Sequence, residues 1–247
     1  MRVRVWAVVP AAGVGRRMGG GEPKQYRALL GRRVIEWVLE RLLEPPSVAA
    51  AVVAVAADDP YWAGLQLAAE KPIYRVAGGA ERQDSVRSAL DRVAELADPA
   101  DWVMVHDAAR PCLSTAELTR LLATGMQHPD GALLAKPVAD TLKRAAPPGV
   151  LPSDIAQVLE TVPRDRLWQA QTPQLFPWQR LRTALEQACS EGVTVTDEAQ
   201  AIERLGGQPL LVPGDPANLK ITQPEDFALA AAILQAREAA AAEATAP

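Results

Sequence analysis

The sequence predicts an α/β fold with a largely parallel sheet and helices on both faces. Three observations carry this. Short β-branched or apolar runs alternate with helical patterns through the first half of the chain, and such alternation marks a parallel sheet covered on both sides. One run, "AAAVVAVAA" (Ala49–Ala57), is apolar throughout, as a buried strand is. A glycine-rich loop, "PAAGVGRRMGGGEPKQY" (Pro10–Tyr26), directly follows the first run.

The elements follow in order. Val3–Val9 is the first strand. Arg33–Leu43 carries Ile35, Val38, Leu39 and Leu42 at helical spacing. After the second strand, Asp58, Asp59 and Pro60 are read as opening a helix. "PIYRVAG" is a short strand, and "ERQDSVRSALDRVAEL" places Val86, Ala89, Leu90 and Val93 on one helical face. "DWVMVHDAA" is a strand with polar groups at its end. Ser114 and Glu117 then form a capping box ahead of Leu118, Leu121 and Leu122. Parallel sheets bind ligands beyond the carboxyl ends of their strands. If the first strand and the one ending at His106-Asp107 are neighbours, both point into one crevice.

The pattern breaks at Lys136–Gln174, which is rich in proline. "VADTLKRA" and "IAQVLETVPR" read as two extended segments joined by a turn, "APPGVLPSD". Such an excursion is a linker or a docking β-arm, and Val138, Leu142, Ile155 and Val158 favour the arm. Helices return at Pro177–Ala188, at Asp197–Leu205 and at Thr222–Leu234, the last with Thr222 and Glu225 as its capping box. The alanine-rich tail, 237–247, is low-complexity and is assigned no function, so residues 1–236 form the one expected domain.

Composition excludes several classes. A formal charge of −4 gives no basic surface for nucleic acid. The N-terminal apolar run is too short to span a bilayer and lacks a cleavage pattern. Cys112 and Cys189 lie far apart without paired spacing, which fits a reducing, cytoplasmic compartment and buried packing roles.

The glycine loop fits phosphates. Gly13 and Gly15 let backbone N–H groups face an anion, while Arg16, Arg17 and Lys24 bring charge. A Walker A loop needs Gly-Lys-Ser/Thr after its second glycine, and there is none. A dinucleotide fingerprint needs G-x-G-x-x-G, and Gly13, Gly15 and Gly19 are one residue too widely spaced.

Further motifs narrow the choice: "GGAERQDSV" (Gly78–Val86), "VHDAARPC" (Val105–Cys112), "DTLKR" (Asp140–Arg144), "TPQLF" (Thr172–Phe176), "VTDEA" (Val195–Ala199) and "NLKIT" (Asn218–Thr222). With "PAAGVGRRM…PKQY" in this order, the chain resembles the 2-C-methyl-D-erythritol 4-phosphate cytidylyltransferase family of nucleotidyltransferases, from about Val5 to Leu234. The resemblance implies a Rossmann-like sheet with a protruding β-arm, about 137–165, that clasps a second subunit in a homodimer. It implies CTP and a polyol phosphate as substrates, with Mg²⁺.

The resemblance also implies roles. Arg17, Lys24 and Lys220 are the expected catalytic cations. Ala11, Ala12, Gly13, Gly15, Gly79, Ser85 and Asp107 are expected at the nucleotide, and Asp107 also at the metal. Thr141 and Arg164 on the arm, with Thr172 and Thr196, are expected at the polyol, the arm residues serving the partner's site. Ala80 stands where the family often has an acidic residue, which bears on base preference. His106 is read as structural, because an ionised phosphate needs no base to attack. Three alternatives remain: a ribitol 5-phosphate cytidylyltransferase, a glycosyltransferase (which would want a D-x-D motif), and a non-catalytic nucleotide-binding regulator. No segment suggests fusion to a second enzyme.

Overall fold

The computed structural model describes residues 3–13, 21–67, 69–147 and 155–245. The first strand, β1 (Val5–Pro10), leads through a single 3₁₀ turn at Lys24–Tyr26 and a small hairpin, β2 (Ala28–Leu29) and β3 (Arg32–Arg33), into α1 (Val34–Leu43). There follow β4 (Val48–Val55), β5 (Ile73–Ala77), α2 (Arg82–Ala94), β6 (Trp102–Val105) and α3 (Thr115–Gly125). The second half contains β7 (Ala132–Pro137), β8 (Leu142–Ala145), β9 (Val158–Val162), β10 (Trp168–Pro177), α4 (Trp178–Ser190), α5 (Glu198–Arg204), β11 (Leu210–Pro213) and α6 (Asp226–Thr245).

Seven strands form one sheet in the order β11-β7-β10-β6-β1-β4-β5. β1 pairs in parallel with both β4 and β6, so the neighbour condition set by the sequence is met. β4 pairs in parallel with β5, and β7 with β11. Only β10 runs against the rest, between β6 and β7. Burial of both sheet faces follows from the strand period of two. Val5, Ala7 and Val9 join the core under α1 and α3, whereas Trp6 and Val8 join the core under α2, α4 and α5. α6 packs Ala230 and Leu234 on Leu29, Ala109 and Cys112, which closes the site end of the molecule.

Several sequence expectations are corrected. Asp58–Pro60 does not open an α-helix. Asp59 Oδ1 accepts the Tyr61 and Trp62 N–H groups, and its Oδ2 accepts the Tyr26 hydroxyl. The result is one 3₁₀ turn, Trp62–Gly64, after which Leu65 is extended. The last helix starts at Asp226, not Thr222, and its cap carboxylate is Asp226 rather than Glu225: Asp226 Oδ2 accepts from Thr222 N, Thr222 Oγ1 and Gln223 N. α6 runs on to Thr245, into the alanine-rich tail. Cys112 is buried as expected, but Cys189 is exposed.

β8 and β9 pair antiparallel, with Leu142 opposite Val162, and form a ribbon between β7 and β10. Val158 and Leu159 of β9, and Ile155 ahead of it, are exposed. Most of the expected "APPGVLPSD" turn, residues 148–154, lies outside the described residues.

At the opposite end of the sheet, Asp101 aligns β1 with β6. Its buried carboxylate accepts from Arg4 N at 2.9 Å, Arg4 Nε at 3.1 Å, Trp6 Nε1 at 3.0 Å and Asp98 N at 3.0 Å. Asp101→Ala strands those donors, and the expected loss is about 3 kcal/mol of unfolding free energy in urea titration; an unchanged midpoint refutes the alignment role.

Candidate active site

The crevice lies where β1 and β6 end side by side. Its wall is formed by Pro10–Gly13, Lys24, Gln25, Gly79–Arg82, Ser85, Asp107–Ala109 and Lys220. Of the expected nucleotide and catalytic residues, Ala11, Ala12, Gly13, Gly79, Ser85, Asp107, Lys24 and Lys220 all line it. Gly15 and Arg17, with Arg16, lie outside the described residues.

Small residues let the backbone segments meet. A Cβ on Gly78 would meet Ala12 Cβ at 2.5 Å and Ser85 Oγ at 2.8 Å, and one on Gly79 would meet Asp84 Cβ at 2.3 Å. Glycine at 78 therefore lets the loop from β5 lie against the segment after β1, and glycine at 79 lets it fold onto the first turn of α2. Ser85 Oγ accepts the Gly79 N–H at 3.2 Å, which fixes that loop.

Lys24 stands on a stiff mount. Next to it, Gln25 Nε2 donates to the carbonyls of Ala11 at 2.7 Å and Gly13 at 3.1 Å. Tyr26 is buried, stacks on Tyr61 and donates to Asp59 at 2.6 Å. Lys24 Nζ crosses the crevice to the Ile221 carbonyl at 2.7 Å. Since Ile221 follows Lys220, the two lysines converge from opposite walls.

Asp107 is the hub, only 7% exposed. Arg82 Nε reaches its Oδ1 at 3.2 Å, while Arg110 Nε and Lys220 Nζ reach its Oδ2 at 3.4 Å and 2.9 Å. Burial alone would raise the carboxyl's pKa; Arg82, Lys220 and Arg110 outweigh it and hold the group ionised far below the usual carboxylate range. Arg82 also forks onto Glu198, at 2.6 Å and 3.0 Å. Arg110 Nη1 holds the Asn218 carbonyl at 2.7 Å, tying the turn after β6 to the segment that carries Lys220.

Behind Asp107 sits a buried polar relay. The Asp107 N–H donates to Thr172 Oγ1 at 3.1 Å, and that hydroxyl lies 2.9 Å from His106 Nδ1. His106 Nε2 lies 3.1 Å from the Arg110 carbonyl, which can only accept, so Nε2 carries the proton and Nδ1 accepts from Thr172. Burial pushes the imidazole down to about 4, against the pull of its hydrogen bonds and of Asp107. His106 is a neutral structural joint, as expected.

The four residues expected at the polyol are not among those lining the crevice. Thr172 is buried behind Asp107 with its hydroxyl hydrogen spent on His106. Thr196 is exposed at the lead-in to α5, its N and Oγ1 both donating to Gln200. Thr141 and Arg164 flank the β8–β9 ribbon, where Arg164 holds the Ala139 carbonyl. Gln25, Arg82, Arg110 and Glu198 were not picked out from the sequence. Each lies inside a quoted motif, and the signal available was a charged or amide side chain one to three residues from an expected one.

A crevice at the switch point of a largely parallel sheet, walled by small residues and armed with lysines, defines a nucleotide-binding α/β protein of the nucleotidyltransferase kind. The comparisons with known proteins agree. A family model described as 2-C-methyl-D-erythritol 4-phosphate cytidylyltransferase matches residues 5–236, and the chain belongs to that family. It is 61% identical over 241 residues to the protein so named from Halorhodospira halophila, covering 96% of each chain. It is 52% identical to that of Vibrio cholerae, over 91% of this chain and 93% of the relative. Among solved structures, a 4-diphosphocytidyl-2C-methyl-D-erythritol synthase superposes with a TM-score of 0.80 at 37% identity, covering 95% of this chain and all of the other. The Francisella tularensis 2-C-methyl-D-erythritol 4-phosphate cytidylyltransferase gives 0.77 at 32%, covering 93% and 99%.

The buried neutral His106 makes stability depend on pH. The unfolded chain takes up a proton near the ordinary histidine value, the folded chain only near 4. Stability is complete above that window and falls as pH drops through it, by roughly 3 kcal/mol in total. Denaturation in metal-free buffer at pH 7 and pH 4.5 should show this loss, and His106→Asn should flatten it; an equal slope in both proteins refutes the assignment.

Proposed function

We infer that the chain transfers a cytidylyl group from CTP to 2-C-methyl-D-erythritol 4-phosphate, giving 4-diphosphocytidyl-2-C-methyl-D-erythritol and pyrophosphate in the non-mevalonate isoprenoid pathway. One observation carries this: in a chain of this family, Lys24 and Lys220 converge across a crevice floored by Ala11–Gly13 and centred on Asp107.

The chemistry sets what the residues must do. The substrate's phosphate oxygen attacks the α-phosphorus of CTP in line with departing pyrophosphate. The attacking group is already ionised, so no strong base is needed. The obstacles are repulsion between two anions and charge growing on phosphoryl oxygens. Fixed cations address both, because they cost no reorganisation during the reaction. Lys24 and Arg17 are assigned to the triphosphate, and Lys220 to the α-phosphate and the incoming phosphate. Backbone groups of Ala11, Ala12 and Gly79, with the Ser85 hydroxyl, are assigned to the cytosine edge, and Gly13 and Gly15 to the phosphate loop.

Mg²⁺ fits this donor set as an ion carried by the triphosphate. Both Asp107 oxygens already face cations, and among the described residues no three acidic, His or Cys side chains converge. Mg²⁺ takes phosphate oxygens and water as ligands, and Asp107 would join them by giving up one of its present cation contacts. When bound, the ion would neutralise phosphate charge.

The ribbon supports a homodimer. Ile155, Val158 and Leu159 stand exposed on and beside it, and Thr141 and Arg164 stand at its base. We assign these two, with Thr172 and Thr196, to the polyol phosphate, the ribbon residues reaching the partner's site. No helix among the described residues is long and apolar enough to cross a membrane. Two free cysteines suit the reducing cytoplasm.

The decisive assay incubates the protein with each of the four nucleoside triphosphates, Mg²⁺ and either methylerythritol phosphate or ribitol 5-phosphate, and follows pyrophosphate. Release only with CTP and methylerythritol phosphate is expected; release with ribitol phosphate alone reassigns the substrate. Arg17→Ala and Lys24→Ala should each lower turnover at least about 10²-fold with the fold intact. Deleting 138–162 should yield an inactive monomer by sedimentation, and an active monomer removes the shared-site reading.

A further inference from the structure

Glu198 has no role in the chemistry above, yet it is only 1% exposed and holds a bidentate pair with Arg82. A buried carboxylate is costly unless its partner is fixed. Here both ends are fixed. Asp197 caps α5 by accepting the Gln200 N–H at 2.9 Å. Gln174 of β10 donates to Asp197 Oδ2 at 2.9 Å and accepts the Ala199 N–H at 2.8 Å. Arg82 opens α2 and is itself the last residue of the Gly79–Arg82 wall of the crevice.

We propose that Glu198 is a positioning residue that keeps Arg82 from taking both oxygens of Asp107, and so reserves one of them for Lys220. A guanidinium offers a two-pronged edge that matches a carboxylate. Glu198 occupies that edge through Nη1 and Nη2, leaving Nε to meet Asp107 Oδ1. Asp107 Oδ2 is then shared by Lys220 and Arg110. Without the Glu198 charge, three cations surround a single carboxylate. Arg82 then turns its free fork onto Asp107, and Lys220 loses its tether at the crevice. Glu198 also follows Thr196 by two residues, so the same pair locks the segment assigned to the polyol against the wall assigned to the nucleotide.

This inference rests on the cytidylyl-transfer reading, and wild-type protein in the pyrophosphate assay separates the two. An inactive wild type overturns both. With active wild type, Glu198→Gln should lower kcat at least about tenfold while KM for CTP stays within about threefold, since Lys220 acts on the reacting phosphates rather than on nucleotide binding. Arg82→Gln/Glu198→Gln should be no slower than Arg82→Gln alone, because Glu198 acts through Arg82. Glu198→Asp, which keeps the buried charge on a shorter arm, should fold and give an intermediate kcat, and it decides the matter if Glu198→Gln does not fold. A near-normal kcat in these variants, or losses that add fully in the double variant, overturns the proposal.

Discussion

One buried carboxylate organises this protein. Asp107 sits at the carboxyl end of β6 and binds cations from three separate stretches of chain: Arg82 at the start of α2, Arg110 in the following turn, and Lys220 ahead of α6. Removing a carboxylate from water is unfavourable by several kcal/mol, and only well-placed opposite charges offset it. The three partners together keep Asp107 ionised where it is, and Asp107 in turn keeps their like charges together. The same balance leaves a positively charged rim that faces the crevice. Structure and function share one electrostatic arrangement.

Behind this hub, hydrogen bonding is nearly deterministic. The Asp107 N–H, the Thr172 hydroxyl, the His106 ring and the Arg110 carbonyl form a chain in which each group has one compatible partner. Asn218 extends it by donating to the Thr172 carbonyl at 2.9 Å. Motifs that are far apart in sequence, "VHDAARPC", "TPQLF" and "NLKIT", are thus successive links of one network. That explains how the polar groups it links are buried there without being left unpaired.

The first half of the fold was legible because βαβ alternation is a local pattern. β7, β10 and β11 were not. The run "ALLAKP" is too short to separate strand from helix by periodicity. β10 contains Pro173, which argues against a central strand. The protein accommodates it at a register shift between Ala170 and Gln174, so the ladder bypasses that residue. Cap positions slipped where two acidic residues compete, as with Glu225 and Asp226. At the site, Ala11–Gly13, Lys24, Gly79, Ser85, Asp107 and Lys220 line one crevice, the four residues expected at the polyol do not, and Arg82 and Glu198 were missed. They pair across 116 positions, and no local spacing encodes such a contact.

The antiparallel strand in mid-sheet has a consequence for how the chain emerges during synthesis. β5, β4, β1 and β6 can align once residue 105 is made, because each pairs with a neighbour within the group. The open side of β6 then waits for β10, which ends only at Pro177. Throughout that interval a hydrophobic strand edge is bare, the kind of edge that recruits other chains. Nascent-chain aggregation, rather than loss of the finished fold, is the vulnerability this topology builds in.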